Sequence, residues 1–462
     1  MRLHPVIPAV LLCAACSEAP PRLPPALEHG TLLVVTINSP TTVYEDADGH
    51  YAGLEHDLVC AFAAELGLAV RYVFVTNAAQ LFEALEEGRA HLAAAGIPRS
   101  IPAHARVRFG PAYQSVRFEL AYRTDQPRPR AIADLRGKRL AVVAGGGGAE
   151  QLRKAALRNA AAAWSEMPVE DGLSLLARLA DGELDYVVAR SNLVTMATNF
   201  YPNVGRAFAL GEATPLAWAF PEEGDPRLLI RAEEFFARIA RDGTLKRLLD
   251  RYYGHAGRLN PVDANSILTR MRSALPALKP WFKEAERLTG IDWRLLAALG
   301  YQESRWDPLA TSPTGVRGLM MLTEETADRM GVTDRLDPYQ SIIAGARYLL
   351  VLKETLPARI PEPDRTWLAL AAYNLGFGHL EDGRILAQRK GLDPDAWMDV
   401  RQSLPLLSRP DYYMTVKRGF ARGGEAVYLV ENVRSYYDIL RRFEHRQEPL
   451  IADVPSAAEA FP

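Results

Sequence analysis

Cysteine is nearly absent from this 462-residue chain: Cys13, Cys16 and Cys60 are the whole supply. Two of the three fall within the first sixteen residues, so no disulfide framework is available and stability must come from hydrophobic cores. Metal-ligand clusters are missing too. The nine histidines are scattered, with no HExxH pair and no Cys-His group at ligand spacing, so neither a metal site nor a cofactor is implied. Charge of one sign is also lacking. With 54 basic and 56 acidic residues the formal net charge is −2, which excludes the long-range attraction that draws a protein to nucleic acid. The apolar run Val6–Ala15 behind Arg2 has the length of a secretory signal core and is too short to span a bilayer. What is present is 48% hydrophobic residue, ample for ordinary cores, and at this length two or three domains are expected.

The signal-like run ends at Cys13-Ala14-Ala15-Cys16-Ser17. Small residues directly before a cysteine resemble the bacterial lipobox, which implies cleavage before Cys16 and acylation of its thiol. Cys13 stands where that motif usually has leucine, and plain secretory cleavage is the alternative. Pro20, Pro21, Pro24 and Pro25 then make an extended tether. Cys60 lies in the apolar run Leu58–Ala64 and reads as a small hydrophobe.

Next comes a βαβ series: strand Thr31–Ile37, helix Leu54–Leu66 closed by Gly67, strand Val70–Val75, helix Ala79–Glu87 and strand His91–Ala95. A second series follows, with strand Arg139–Val143, the loop Gly145–Gly148, helices, and strand Asp185–Val188. Two α/β halves facing a cleft are the economical solution. The Gly loop lacks the Lys-Ser/Thr of a P-loop, so it reads as a hinge or a ligand-facing turn.

The segments Asp48-Gly49-His50-Tyr51-Ala52-Gly53-Leu54-Glu55, Phe109-Gly110-Pro111-Ala112-Tyr113, Asp134-Leu135-Arg136-Gly137 and Asp242-Gly243-Thr244-Leu245 resemble the extracytoplasmic solute-binding family that takes amino acids. The resemblance implies a two-lobed periplasmic binding protein-like domain. That family clamps the ligand carboxylate with an arginine, and in register Ala103 stands there instead, leaving Arg99 or Arg106 as substitutes.

From residue 258 the pattern becomes all-helical: Leu278–Leu288, Trp293–Ser304, Thr323–Met330, Pro338–Thr355 and Arg365–Tyr373. Asp337-Pro338 reads as an N-cap with proline at N1, and Asp364 as the cap of the Trp367 helix. Within this region Leu296, Leu299 and Glu303 are spaced i, i+3, i+7, so the acid continues an apolar stripe. Desolvation and the negative end of the helix dipole both oppose its ionisation, which is how a general acid for neutral pH is made.

Glu303-Ser304, Ser312-Pro313-Thr314-Gly315-Val316-Arg317-Gly318-Leu319-Met320-Met321, Ala372-Tyr373-Asn374-Leu375-Gly376 and Gly424-Glu425-Ala426-Val427-Tyr428 resemble the lytic transglycosylase and goose-type lysozyme superfamily. With the upstream module, the chain resembles membrane-bound lytic murein transglycosylases. The resemblance implies a lysozyme-like fold, peptidoglycan glycan strands as substrate, Glu303 as the single acid and base, and 1,6-anhydromuramic acid products. It also implies substrate-binding roles for Ser312, Met320, Met321, Tyr373, Asn374 and Tyr428, with Met321 in place of the glutamine common in the family. Glu324 and Glu325 are explained by a helix start. Trp281, Trp293 and Trp306 are expected in core or rim packing before sugar stacking.

The expected organisation is a signal peptide at 1–15, a lipidated tether at 16–29, a solute-binding-like regulatory domain at 30–255, a linker at 256–270, a lysozyme-like domain at 271–445 and a disordered tail at 446–462. A peptide or muropeptide is the expected ligand of the first domain, a lipid anchor the contact with the outer membrane, and the periplasm the compartment. Two other functions fit the same residues: a lysozyme-like hydrolase with an activated water, and a non-catalytic sensor that docks on the cell wall.

Overall fold

A computed structural model describes residues 23–45, 49–99, 106–156, 163–168, 172–257, 259–313 and 315–444. The expected signal peptide, Cys13, Cys16, Ala103 and the tail lie outside these residues.

Eight strands make one sheet: β1 (Thr31–Ile37), β2 (Ala69–Val75), β3 (Leu92–Pro98), β4 (Val107–Arg123), β5 (Leu140–Val143), β6 (Ser165–Met167), β7 (Tyr186–Arg190) and β8 (Val204–Pro221). Their order is β2-β1-β3-β8-β4-β7-β5-β6. β1 pairs with β2 in parallel from Thr31 opposite Ala69, and β5 runs parallel to both β6 and β7. The long strands β4 and β8 pair antiparallel along their whole length, joining a lobe built on β1–β3 to one built on β5–β7. Their register shifts at Arg206/Ala209, Leu210/Thr214, Leu216/Ala217 and Ala217/Ala219, and each shift bends the pair. This strand pair is therefore the crossing between the lobes. The Gly145–Gly148 turn is a cleft wall, with Gly148 opening the helix Gly148–Ala156.

The sequence periods hold where they are clean. Helix Leu54–Leu66 buries Leu54, Leu58, Val59 and Phe62 and ends at Gly67, whose left-handed φ of 67° favours glycine. In the second module Trp293–Ser304 is the central helix, buried from Trp293 through Tyr301. Helices Leu275–Thr289, Pro338–Thr355 and Gly423–Phe443 pack around it. Asp292 and Asp337 cap their helices through the N–H groups of Arg294 and Gln340.

Three expectations are corrected. The tether at 16–29 ends in a docked turn: Ala26–His29 is helical, Ala26 is buried, and the Pro24 carbonyl lies 3.0 Å from His91 Nε2. The linker at 256–270 is mostly the helix Pro261–Ser273, held by buried Ala264, Ile267 and Met271. Asp364 is the first residue of its helix and accepts the Trp397 N–H at 2.8 Å, while Pro363 takes the cap position. Among the described residues no helix is long and apolar enough to cross a membrane.

The modules are joined by buried charge. Arg434 donates to the Asp250 carbonyl at 2.8 Å and pairs with Glu431 at 3.0 Å; Arg401 bridges Glu431 and Asp250. His255, at the joint, lies 2.5 Å from Asp438 of the last helix.

Candidate active site

Glu303 sits in the last turn of the central helix, on the face of the fully buried Leu296 and Leu299, and is itself half-buried. Burial pushes its carboxyl up to about 8, and no hydrogen bond or neighbouring charge opposes that. Two left-handed residues, Arg305 and Trp306, turn the chain sharply after the helix. Such backbone costs on the order of 1 kcal/mol per residue and persists only when packing fixes it. Here the Trp306 indole donates to the Ala297 carbonyl at 2.8 Å, and Arg305 is tied to Asp263 and Ser266 of the helix Pro261–Ser273.

The segment Thr311–Leu322 then returns to the acid. Ser304 Oγ donates to the Leu319 carbonyl at 2.8 Å, and the Tyr373 hydroxyl donates to the Met320 carbonyl at 2.8 Å. The Met320 N–H is taken by Ser341 Oγ, and Arg335 reaches the Gly315 and Leu322 carbonyls. Close approach needs glycine at two points: a Cβ at Gly300 would lie 2.8 Å from Leu319 Cδ2, and one at Gly345 would lie 2.8 Å from Met320. Tyr373 is therefore fixed beside Glu303. Burial, and then the field of Glu303, raise its hydroxyl pKa well above the ordinary value, so it stays a neutral donor.

The expected site residues divide. Glu303 and Tyr373 come together. Met320 is corrected: its side chain is fully buried between Gly300 and Gly345, so it cannot touch a sugar, and only its carbonyl serves the site. Met321 is half-buried with a left-handed φ of 48°. Ser312 is part of a turn in which its Oγ accepts the Val316 N–H at 3.3 Å. Asn374 is exposed at the end of its helix. Tyr428 is 61% exposed, which excludes core packing, and its field reaches Tyr436, whose ring meets Tyr301 at 4.8 Å. Trp293 and Trp306 are core residues, and Trp281 meets Tyr339 at the rim. Sequence reasoning missed Gln302, which accepts from Asn432 at 3.1 Å and ties the last helix to the acid's own helix. It also missed Arg335; neither pairing has a periodic signal.

In the first module the cleft between the lobes holds about 70 Å³, far below the roughly 300–1,000 Å³ of a small-molecule site. Arg99 and Arg106, the expected clamps, are exposed and off the cleft lining. The charged side chain among its described lining residues is Arg190, which reaches across the lobes to the Gly96 carbonyl at 2.6 Å. Beneath it Glu55 accepts from the Gly96 N–H, the Trp218 indole and the Tyr113 hydroxyl. Burial raises the Glu55 pKa despite those bonds and Arg190.

Two family models match this chain: bacterial extracellular solute-binding proteins, family 3, over residues 32–255, and the transglycosylase SLT domain over 280–394. A membrane-bound lytic murein transglycosylase F from Nitrosospira multiformis is 52% identical, covering 94% of this chain and 90% of its own. The chain belongs to that transglycosylase F family. A second member, from Methylobacillus flagellatus, is 48% identical over 97% of this chain and 96% of its own. A solved structure similar to the first module is the P235GK mutant of the arginine-binding protein from T. maritima, at 21% identity, TM-score 0.45, and coverage of 49% and 96%. Helix Gly423–Phe443 lies beyond the matched SLT residues, yet it is the helix that carries Tyr428 and Asn432.

Proposed function

We propose that the chain is a peptidoglycan lytic transglycosylase acting on the β-1,4 bond between N-acetylmuramic acid and N-acetylglucosamine, with Glu303 as its one acid and base. The carrying observation is the Glu303 carboxyl: neutral to about pH 8, and, among the described residues, touched by the field of no other carboxylate. A two-carboxylate glycosidase needs its second acid within about 5–9.5 Å. With no second carboxylate acting on Glu303 among the described residues, we take the nucleophile from the sugar. Glu303 gives its proton to the leaving glycosidic oxygen as the C1–O bond breaks and the acetamido oxygen closes on C1. The Glu303 carboxylate then takes the proton of the C6 hydroxyl as that oxygen bonds C1 and displaces the acetamido group. The product is a 1,6-anhydro end, no water is consumed, and the acid is restored.

The neutral Tyr373 hydroxyl holds the Met320 carbonyl in place beside the acid. Ser312, Met321, Asn374 and Tyr428 are assigned to substrate contact on the motif match, and the exposure of Asn374 and Tyr428 supports that assignment. Residues 271–445 form the catalytic domain in this reading, and residues 30–255 a regulatory one whose lobes part about β4 and β8 to take a peptide or muropeptide. An acyl group on Cys16 anchors the chain at the periplasmic face of the outer membrane. Glu303→Gln tests the core of the reading: purified sacculi should release no soluble muropeptide with the variant at matched folded fraction. Turnover equal to wild type would remove Glu303 from the mechanism.

A further inference from the structure

A second cavity, of about 560 Å³, lies between the modules at the opposite end of the Glu303 helix, and its size suits a small molecule. Its lining carries six cations, Arg251, Arg294, Lys353, Arg434, Arg441 and Arg442, against the carboxylates Glu45, Asp292 and Asp438. Four of the cations are ion-paired: Arg251 with Asp57, Arg294 with Asp292, Lys353 with Glu362, and Arg434 with Asp250 and Glu431. Arg442 has the Tyr201 hydroxyl at 3.4 Å. Arg441 has no ion pair and no hydrogen bond among the described residues. Its guanidinium lies 5.7 Å from the ring of Tyr44 in the first module and 5.5 Å from that of Tyr437 on its own helix. Asp292 and Asp438, whose fields reach it, are engaged by Arg294 and Tyr437 and by His255.

A half-buried guanidinium held between two aromatic faces, with its fork unused, is pre-organised for a planar or tetrahedral oxyanion. His255, 4% exposed, also lines the cavity and is held through Nε2 by Asp438. Met196, Phe200, Ile291, Leu295 and Trp367 make an apolar stretch of the wall, beside the polar Asn38, Tyr252 and Thr366. We infer that this interdomain cavity is a binding site for an amphipathic anion, a carboxylate or phosphate group on an apolar body, with the Arg441 fork taking the oxyanion. A ligand there touches the first module, the last helix and the start of the Glu303 helix together.

The test is calorimetry on the full chain with two probes, benzoate for the carboxylate source and phenyl phosphate for the phosphate source. Saturable binding of at least one is expected, with Kd rising tenfold or more in both Arg441→Gln and Arg441→Lys, since lysine keeps the charge and loses the fork. Lysine also preserves the aromatic stacking partner's charge, so it serves if the glutamine variant does not fold. Arg190→Gln, in the other cleft, should bind as wild type does. No saturable binding of either probe, unchanged affinity in folded Arg441 variants, or loss of binding in Arg190→Gln alone would overturn the site.

Discussion

A carboxyl group that keeps its proton to about pH 8 gives Glu303 both its chemistry and a stability cost. The activity profile should fall on the alkaline side with an apparent pKa near 8, as the acid loses its proton; a rate that is flat from pH 6 to 9 would contradict this. For stability the sign is fixed by the raised value. The folded state holds a proton that the unfolded state gives up from the ordinary 4.5, so Glu303 stabilises below that pH and loses its contribution as pH climbs to 8. Glu303→Gln should therefore be more stable than wild type at pH 8, by about 4 kcal/mol, and equal to it near pH 4. Chemical denaturation at both pH values checks the difference. The acid was legible in the sequence because the helical period and the motif agreed at one position. Arg190 and Arg441 were not, since what distinguishes them is a partner, or the want of one, across the fold.

At the scale of elements, the active site is a helix end and a returning segment pressed together. Tyr373→Phe would leave the buried Met320 carbonyl without its donor, costing about 1–3 kcal/mol, and should lower kcat more than it raises KM because the segment beside the acid loosens. Gly300→Ala drives a methyl against Leu319 and should cost about 1–3 kcal/mol by calorimetry. A variant with wild-type melting and wild-type kcat at either position would show that the close approach is not needed. The helices Trp293–Ser304 and Pro338–Thr355 matched their sequence periods end to end, because caps and apolar faces coincide there. Met320 did not follow its motif role, since the motif records that a residue type recurs and is silent on which face of the backbone it serves. The linker failed for a related reason: Ala264, Ile267 and Met271 form a helical face too sparse to stand out.

Across the whole molecule, an ionic cluster decides whether the two modules move as one. Asp250 belongs to the first, while Arg401, Glu431 and Arg434 belong to the second, and Arg434 is 2% exposed. Asp250→Ala strips a buried guanidinium of one carboxylate, which typically costs about 3–5 kcal/mol, and should split a single calorimetric transition into two. A single unchanged transition would show that the cluster does not hold the docking. Two lobes and a helical domain were readable from the periods and motifs, but the crossing strands β4 and β8, the docked tether end and this cluster were not, since each is set by long-range pairing. The claim that most depends on all three scales is that one neutral acid lets the sugar close on itself without water. Digestion of sacculi in ¹⁸O-water followed by mass spectrometry tests it directly: the account predicts muropeptides with 1,6-anhydro ends and no ¹⁸O, whereas reducing ends carrying one ¹⁸O would contradict it.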